Sequence, residues 1–325
     1  MKYIIKNNLL LSIFLYAHFC LAQGALPIHR YRINLVLDIA PLASSFGYSL
    51  RKLKKNYTGF SMRVRRGTDN AEGDIRFDAL GIVSVNSNVT VTAVGTSGLS
   101  LGQVLSLNTF KGAQSLFVTT WYDQGVTAYH AVQTVNANQP ELQLNVAGTG
   151  NTKPALFFNG NFFLIINKPI ETLMTNGFQA SLLLATKPTS NYNQFSFWYR
   201  SISDWRWSIH LNWTDGNFYF DSGEVCCAGN RAFFNSPNIN LWKQYSIVRG
   251  IAYKTVRVNS NPTALNNSGA ASTPQTGGNF QIGSTMNNPD NRFKGYFSEF
   301  LMFSTDFPTS TLLLLETNQI SYWNL

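Results

Sequence analysis

Most of the chain beyond residue 60 consists of short apolar segments that alternate with turn residues. Asp215-Gly216 lies between two aromatic segments, and Asn159-Gly160 lies between two Phe pairs, so both dipeptides predict hairpin turns. Only 13% of the residues are charged and 14% are aromatic, a composition that favours short strands and polar loops. The chain is therefore predicted to fold as an all-β sandwich. The predicted strands are residues 61–65, 82–85, 89–94, 116–122, 155–158, 162–166, 181–185, 194–199, 207–211, 217–220, 243–248, 254–258, 279–282 and 295–304.

A short helix is predicted near each end of the mature chain. In segment 41–55, apolar residues recur at helical spacing, and Pro41 suits a first turn. Residues 309–323 predict a short closing helix. Segment 259–278 is rich in Asn, Ser and Gly and predicts a long exposed loop.

The first 22 residues have the pattern of a secretory signal peptide. Lys2 and Lys6 precede an apolar run over residues 9–21, and the small residue Ala22 marks the expected cleavage point. We therefore expect an exported protein in which residues 23–325 form a single domain. No later apolar run is long enough to predict a membrane span, and no pattern indicates an oligomeric state.

Cleavage would leave two cysteines, the adjacent pair Cys226 and Cys227. Two cysteines make no disulfide framework, so the fold has to depend on its core. One interpretation is a vicinal disulfide whose flat, rigid ring stacks on a sugar. The other is a pair of reduced thiols in a hairpin loop.

The positive charge is concentrated in one segment. The formal net charge is +9, and Lys2 and Lys6 belong to the signal peptide. The remaining excess equals seven basic residues with no acid between them: Arg51, Lys52, Lys54, Lys55, Arg63, Arg65 and Arg66. We expect a solvated structural face there, with an acidic polysaccharide or anionic cell surface as the functional alternative. Nucleic acid is not an expected partner of an exported sandwich.

Four stretches of the C-terminal part form a recognisable set: residues 153–160 (KPALFFNG), 213–221 (WTDGNFYFD), 280–283 (FQIG) and 295–303 (GYFSEFLMF). Through them, residues 153–325 resemble concanavalin A-like lectin/glucanase (laminin G-like) sandwiches. This resemblance implies a jelly-roll β-sandwich. Many such sandwiches hold calcium, but no D-x-D-x-D loop is present, so no metal or other cofactor is predicted.

The earlier part contains a second set of short motifs: 48–53 (YSLRKL), 57–59 (YTG), 64–69 (VRRGTD) and 122–124 (YDQ), with His130 and Gln133 downstream. Through these motifs, residues 39–133 are similar to the α-L-arabinofuranosidase B catalytic domain of glycoside hydrolase family 54. This family's Y-D-Q and H-x-x-Q motifs have the same seven-residue step from Asp to His. The resemblance implies a sandwich and a carbohydrate ligand.

The catalytic motifs of that family are not matched. Its nucleophile is a Glu that follows a Cys-Cys pair, but no Glu follows Cys227 before Glu299. Its acid/base is an Asp directly after an Ile-Gly strand end, whereas the nearest Asp here is Asp290. A retaining glycosidase needs two carboxyl groups about 5–5.5 Å apart. Glu224 and Asp290 are the remaining loop candidates, and catalysis stays open.

The densest cluster of aromatic and polar residues predicts a glycan site. It comprises Trp205, His210, Trp213 and Asp215, to which Cys226 and Cys227 are added on the vicinal-disulfide interpretation. Aromatic faces stack on the C–H groups of sugars while polar neighbours bind hydroxyl groups. Because one face of a strand is buried, alternate members such as Trp207 and Ile209 are expected to be core.

Other conspicuous residues have a structural interpretation. Tyr122, Asp123, Gln124 and His130 are expected to organise a turn, with Asp123 accepting hydrogen bonds. Asp69 and Asp215 are placed in turns, and Glu299 is expected to face solvent from a core strand.

Three functions are consistent with these patterns. The leading hypothesis is a secreted carbohydrate-recognition protein that binds polysaccharide or a cell-surface glycan. The alternatives are an active α-L-arabinofuranosidase and a protein-binding adhesion module.

Overall fold

The computed structural model describes residues 35–40, 46–147, 152–190, 205–225, 231–236, 239–267, 279–284 and 292–325. These residues form an antiparallel β-sandwich with short helices, as predicted. Nineteen strands are found among them: β1 Phe46–Ser49, β2 Met62–Arg66, β3 Glu72–Ile75, β4 Asn88–Ala93, β5 Val104–Ser106, β6 Leu116–Trp121, β7 Ala131–Val132, β8 Glu141–Ala147, β9 Thr152–Asn159, β10 Leu164–Pro169, β11 Ala180–Pro188, β12 Trp205–His210, β13 Asn217–Val225, β14 Ala232–Asn235, β15 Lys243–Arg249, β16 Lys254–Val258, β17 Asn261–Pro262, β18 Asn279–Ile282 and β19 Lys294–Phe303.

Three α-helices accompany the strands: α1 Val36–Ile39, α2 Leu107–Lys111 and α3 Thr309–Trp323. Helix α3 confirms the closing helix predicted over 309–323. The helix predicted over 41–55 is wrong in its described part, because Phe46–Ser49 is strand β1. That strand pairs with residues 299–302 of β19, a long-range partner that overrides the helical spacing.

Strand β19 organises the large sheet. It runs antiparallel to β11 along most of its length, and on its other side it pairs first with β9 and then with β1. The sheet continues from β11 to β15, β16 and β17, and from β9 through β8, β6, β2, β3 and β4 to β5. Strands from both ends of the described chain therefore meet at β19.

Both faces of the central strands are buried. Leu182, Leu184 and Met302 point into the main core, whereas Leu183 and Leu301 join a second cluster on the opposite face. Side chains of α1 and α3 cover that opposite face. The cover explains why residues 182–185 (LLLA) and 300–303 (FLMF) are apolar without interruption instead of alternating.

Strands β12, β13 and β14 form a separate three-stranded sheet. The hairpin predicted around Asp215-Gly216 is confirmed, since β12 and β13 pair directly across it. The inner face of this sheet carries Trp207, Ile209, Phe218 and Phe220, all buried in the main core. There the Phe218 ring stacks on Tyr245, at 5.9 Å between centroids.

Other local predictions differ from the structure. The turn at Asn159-Gly160 does not close a hairpin, because β9 pairs with β8 and β19 while β10 pairs with β7 and β18. Segment 82–85 contains only an isolated bridge from Ile82 to Arg51. In the predicted loop, Asn261–Pro262 pairs with β16. The strand predicted over 194–199 and the signal peptide lie outside the described residues.

Candidate functional site

The outer face of the small sheet carries a row of three rings. His210, Tyr219 and Phe233 occupy matching positions on β12, β13 and β14. The Tyr219 centroid lies 5.6 Å from that of Phe233 and 6.3 Å from that of His210. Because neighbouring residues such as Phe220 and Ile209 face the core, this row lies on the side directed away from it.

Trp213 extends the row at the hairpin turn. Its ring meets His210 edge to face, at 4.5 Å between centroids. Trp213, Tyr219 and Phe233 are half-buried, whereas His210 is only 2% exposed. His210 therefore packs against the neighbouring rings without being accessible itself, and Trp213, Tyr219 and Phe233 supply the accessible surface.

The turn places polar groups beside these rings. Gly216 has a φ of +80°, a conformation suited to glycine, and its N–H donates to the Trp213 carbonyl. Exposed Asp215 accepts hydrogen bonds from the Tyr219 hydroxyl and the Asn217 N–H. Burial alone would raise the pKa of Asp215, but these hydrogen bonds lower it below its usual value. The carboxylate is therefore an ionised acceptor at neutral pH, and Asn235 pairs with Asn217 beside it.

An ion pair holds the Tyr219 ring in place. Arg231 Nε donates to Asp221 Oδ1 at 2.7 Å, and the Asp221 side chain is fully buried. The Arg231 guanidinium lies 4.1 Å from the Tyr219 ring centroid, within cation–π range. Sequence reasoning did not single out Tyr219, Asp221, Arg231 or Phe233. Extending the two-residue alternation from His210 across the hairpin would have placed Tyr219 and Asp221 on this face.

Not every predicted site residue can be placed with its side chain. Cys226, Cys227 and Asp290 lie outside the described residues. For Trp205 and Glu224 only the backbone is described: Trp205 pairs with Val225 and Glu224 with Arg206. Both pairs lie at the end of the hairpin remote from the turn. Of the predicted glycan-binding residues, the structure brings together His210, Trp213 and Asp215.

Asp123 is the centre of a buried turn. Its carboxylate accepts hydrogen bonds from the N–H groups of Gly47 at 2.9 Å and Gly125 at 2.7 Å, and from Thr127 and Tyr129. The Gln124 side chain accepts from the Leu53 N–H and donates to the Arg51 carbonyl. These bonds tie segment 46–53 to the loop after β6.

Tyr122 and His130 complete this arrangement. His130 Nδ1 accepts a hydrogen bond from the Asp123 N–H at 3.2 Å, and burial lowers the pKa of His130 although the nearby Asp123 carboxylate opposes the shift. The Tyr122 hydroxyl donates to Asp74 Oδ1 at 2.8 Å. Burial and this carboxylate raise the pKa of Tyr122. The described contacts of Tyr122 and His130 therefore anchor the loop that follows β6.

Glu299 is fully buried, contrary to the prediction that it faces solvent. It lies on the face of β19 that α3 covers, and it accepts hydrogen bonds from Arg51 Nε at 2.6 Å and Nη2 at 2.9 Å. Ser49, Gln319 and Trp323 also donate to it. Burial alone would raise the pKa of Glu299, but Arg51 and the other donors lower it.

The basic segment is only partly a solvated face, since Lys55 is exposed and Lys52 and Lys54 are half-buried. Arg51 and Arg65 are 1% and 6% exposed. Arg63 pairs with Asp74 and Arg66 pairs with Asp69. Although the segment has no acid of its own, later strands and turns supply the partners. The predicted solvated face is therefore wrong for Arg51 and Arg65, which are buried.

No group of three or more His, Cys, Asp or Glu side chains suited to a metal ion occurs among the described residues. Within the same part of the chain, no helix has the length and apolar character needed to cross a membrane.

Comparison with solved structures identifies the fold. A family 54 α-L-arabinofuranosidase soaked with a cyclic sulfate inhibitor matches with a TM-score of 0.61 at 15% identity, over 89% of this chain. An arabinofuranosidase complexed with arabinofuranosyl-α-1,2-xylobiose matches with a TM-score of 0.59 at 16% identity. This chain shares their fold. It spans 65% of the length of those chains. No family model matches the sequence, and no curated protein matches it.

Proposed function

We propose that this protein is exported and binds carbohydrate, a polysaccharide or a cell-surface glycan, through the outer face of β12–β14. One observation carries the proposal: three partly exposed rings, Trp213, Tyr219 and Phe233, belong to one row on a face that also presents polar groups, with buried His210 between Trp213 and Tyr219. The fold shared with arabinofuranosidases is consistent with a carbohydrate ligand.

The chemistry of this face suits a sugar. The C–H groups on one side of a sugar ring pack against an aromatic face, and its hydroxyl groups need donors and acceptors at the edge. Asp215 supplies an ionised acceptor, and the amides of Asn217 and Asn235 can both donate and accept. Arg231 and His210 hold the rings rigid, which lowers the entropic cost of binding.

The proposal is tested by a glycan array followed by calorimetry with arabinan, xylan and β-glucan. Trp213→Ala should weaken binding about tenfold, because it removes ring surface and one partner of the His210 contact. Phe60→Ala is the matched control. Like Trp213, Phe60 is half-buried. Its ring centroid lies 4.3 Å from the Arg76 guanidinium, and it belongs to the connection between β1 and β2, outside the small sheet.

Binding that is weakened in Trp213→Ala and unchanged in Phe60→Ala supports this face as the site. The proposal is overturned if no polysaccharide or glycan binds, or if both variants lose affinity equally.

Catalysis as an α-L-arabinofuranosidase is the second candidate, favoured by the shared fold. Several buried acids already have structural partners, among them Asp123, Asp221 and Glu299. The proposed carboxyl pair is therefore Glu224 and Asp290. Release of nitrophenol from 4-nitrophenyl α-L-arabinofuranoside, abolished separately by Glu224→Gln and by Asp290→Asn, would establish this activity. Absence of such release would rule out this activity.

A further inference from the structure

One edge of the large sheet ends in an uncharged strand. Strand β5 pairs with β4 on one side and has no neighbour on its other side among the described residues. No charged residue, histidine or proline occurs between Asp78 and Lys111, the stretch that contains both strands. Free sheet edges usually carry charged side chains, proline or a cover, because their unpaired backbone groups recruit further strands. The β5 edge lacks the charge and the proline.

The opposite edge of the same sheet is protected. It ends in β17, Asn261–Pro262, which pairs with β16. Pro262 has no N–H group to donate to a further strand, and proline is a common guard of a sheet edge. Of the two edges of the large sheet, β5 is therefore the one that can accept another strand.

The backbone of β5 offers hydrogen bonds on its open side. Thr90 of β4 pairs with Val104 of β5, and the Val91 N–H donates to the Gln103 carbonyl. Hydrogen-bonded and non-bonded pairs alternate along antiparallel strands. Because the Gln103 carbonyl points toward β4, the N–H and C=O groups of Val104 point away from it. Val104 can therefore form two hydrogen bonds with an antiparallel partner strand.

Apolar side chains accompany these backbone groups. Val104 is 58% exposed, and Val94 and Leu101, in the connection from β4 to β5, are also exposed. The neighbouring Leu105 turns the other way and packs against the main core. A strand laid against this edge would therefore meet both hydrogen-bonding groups and apolar surface on the face that carries Val104.

Charge favours a second copy of this chain as the partner. The formal net charge is +9, so two copies repel each other over much of their surface. At β5 both copies present an uncharged edge, and pairing there buries no charge and opposes no like charges. A two-fold axis at Val104 also pairs its N–H and C=O groups reciprocally with those of the copy, as in an isologous interface.

We propose that two copies of this protein pair antiparallel through their β5 edges, about a two-fold axis at Val104, and so extend the large sheet across both copies. In this arrangement the two Val104 residues form a hydrogen-bonded pair with Cα atoms about 5.5 Å apart. The inference rests on the strand edge and stands whether or not the outer face of β12–β14 binds a glycan.

Sedimentation velocity over a concentration series tests the pairing on the full chain. The native chain should form a dimer. Val104→Lys places two ammonium groups opposite each other and should weaken dimerisation by more than about tenfold. Ile251→Lys is the matched control. Ile251 is 66% exposed and the variant gains the same charge, but the residue lies between β15 and β16, away from β5.

A mixture of two variants separates loss of pairing from misfolding. Val104→Glu should also be monomeric, but an equimolar mixture of Val104→Lys and Val104→Glu should dimerise, since opposite charges meet across the axis. A dimer that is retained in Ile251→Lys, lost in each Val104 variant and restored in the mixture supports the proposal.

The proposal is overturned if the native chain stays monomeric at every concentration, or if Val104→Lys dimerises like the native chain. A mixture that stays monomeric would overturn the axis at Val104. Open-ended assemblies in place of a dimer would overturn the two-fold arrangement, because a two-fold interface closes on itself.

Discussion

The two sheets use their outer faces in opposite ways. The face of β11, β15 and β19 that points away from the main core carries Leu183, Val248 and Leu301, and α3 covers it. The corresponding face of β12–β14 carries Tyr219 and Phe233, which keep part of their surface exposed. Rings accompanied by carboxylate and amide groups can meet a ligand, whereas an apolar face without polar neighbours needs a protein cover.

Each face also contains a buried acid paired with an arginine. Glu299 and Arg51 are 0% and 1% exposed beneath α3, and three further side chains donate to Glu299. Asp221 is equally buried, but its partner Arg231 is 14% exposed at the rim of the open face. Water can therefore replace a lost arginine beside Asp221, but it cannot reach Glu299 beneath α3.

The largest effect is expected under α3. Arg51→Met leaves Glu299 buried beside no compensating guanidinium and should lower the free energy of unfolding by about 3–5 kcal/mol. Urea denaturation measures the loss. The double variant Arg51→Met/Glu299→Met should lose less than Arg51→Met alone, because it removes both charges. A double variant that is less stable than the single one would contradict this account.

A smaller effect is expected at the open face. Arg231→Met should lower the free energy of unfolding by about 1–3 kcal/mol, since water can reach the rim and solvate Asp221 in part. The same urea experiment gives the comparison. A loss as large as that of Arg51→Met would mean that the two faces are equally closed.

The smallest expected effect is a difference in pH dependence. The folded pKa of Glu299 lies below the ordinary value of about 4.3. Its charged form therefore contributes full stability above that pH, and this contribution is lost as pH falls through the lower folded pKa. Between about pH 6 and about pH 3, the urea midpoint of the native chain should fall further than that of Glu299→Gln. Parallel curves would show that Glu299 does not titrate in this range.

Local patterns predicted those elements that depend on local interactions. Helix α3 and the hairpin at Asp215-Gly216 appear where spacing and turn residues place them. The helix predicted over 41–55 fails because Phe46–Ser49 is taken into the sheet by β19. Sequence spacing contains no information about a partner some 250 residues away, as the Ser49–Glu299 contact shows.

The candidate site was predictable in part for the same reason. His210, Trp213 and Asp215 are close in sequence and flank one turn, so their proximity follows from the hairpin. Phe233 and Arg231 reach the site only through the pairing of β14 with β13. The prediction that Glu299 faces solvent is wrong because α3, which comes later in the chain, covers that face of β19.

The contacts around Glu299 have a consequence for synthesis. Arg51 and Glu299 are separated by 248 positions, and Gln319 and Trp323 join them from still later in the chain. A growing polypeptide cannot neutralise this arginine until the ribosome has made β19 and α3. Folding dominated by such distant contacts is slow. We therefore expect the nascent chain to stay open until these segments emerge, and chaperones that hold unfinished chains to affect its yield strongly.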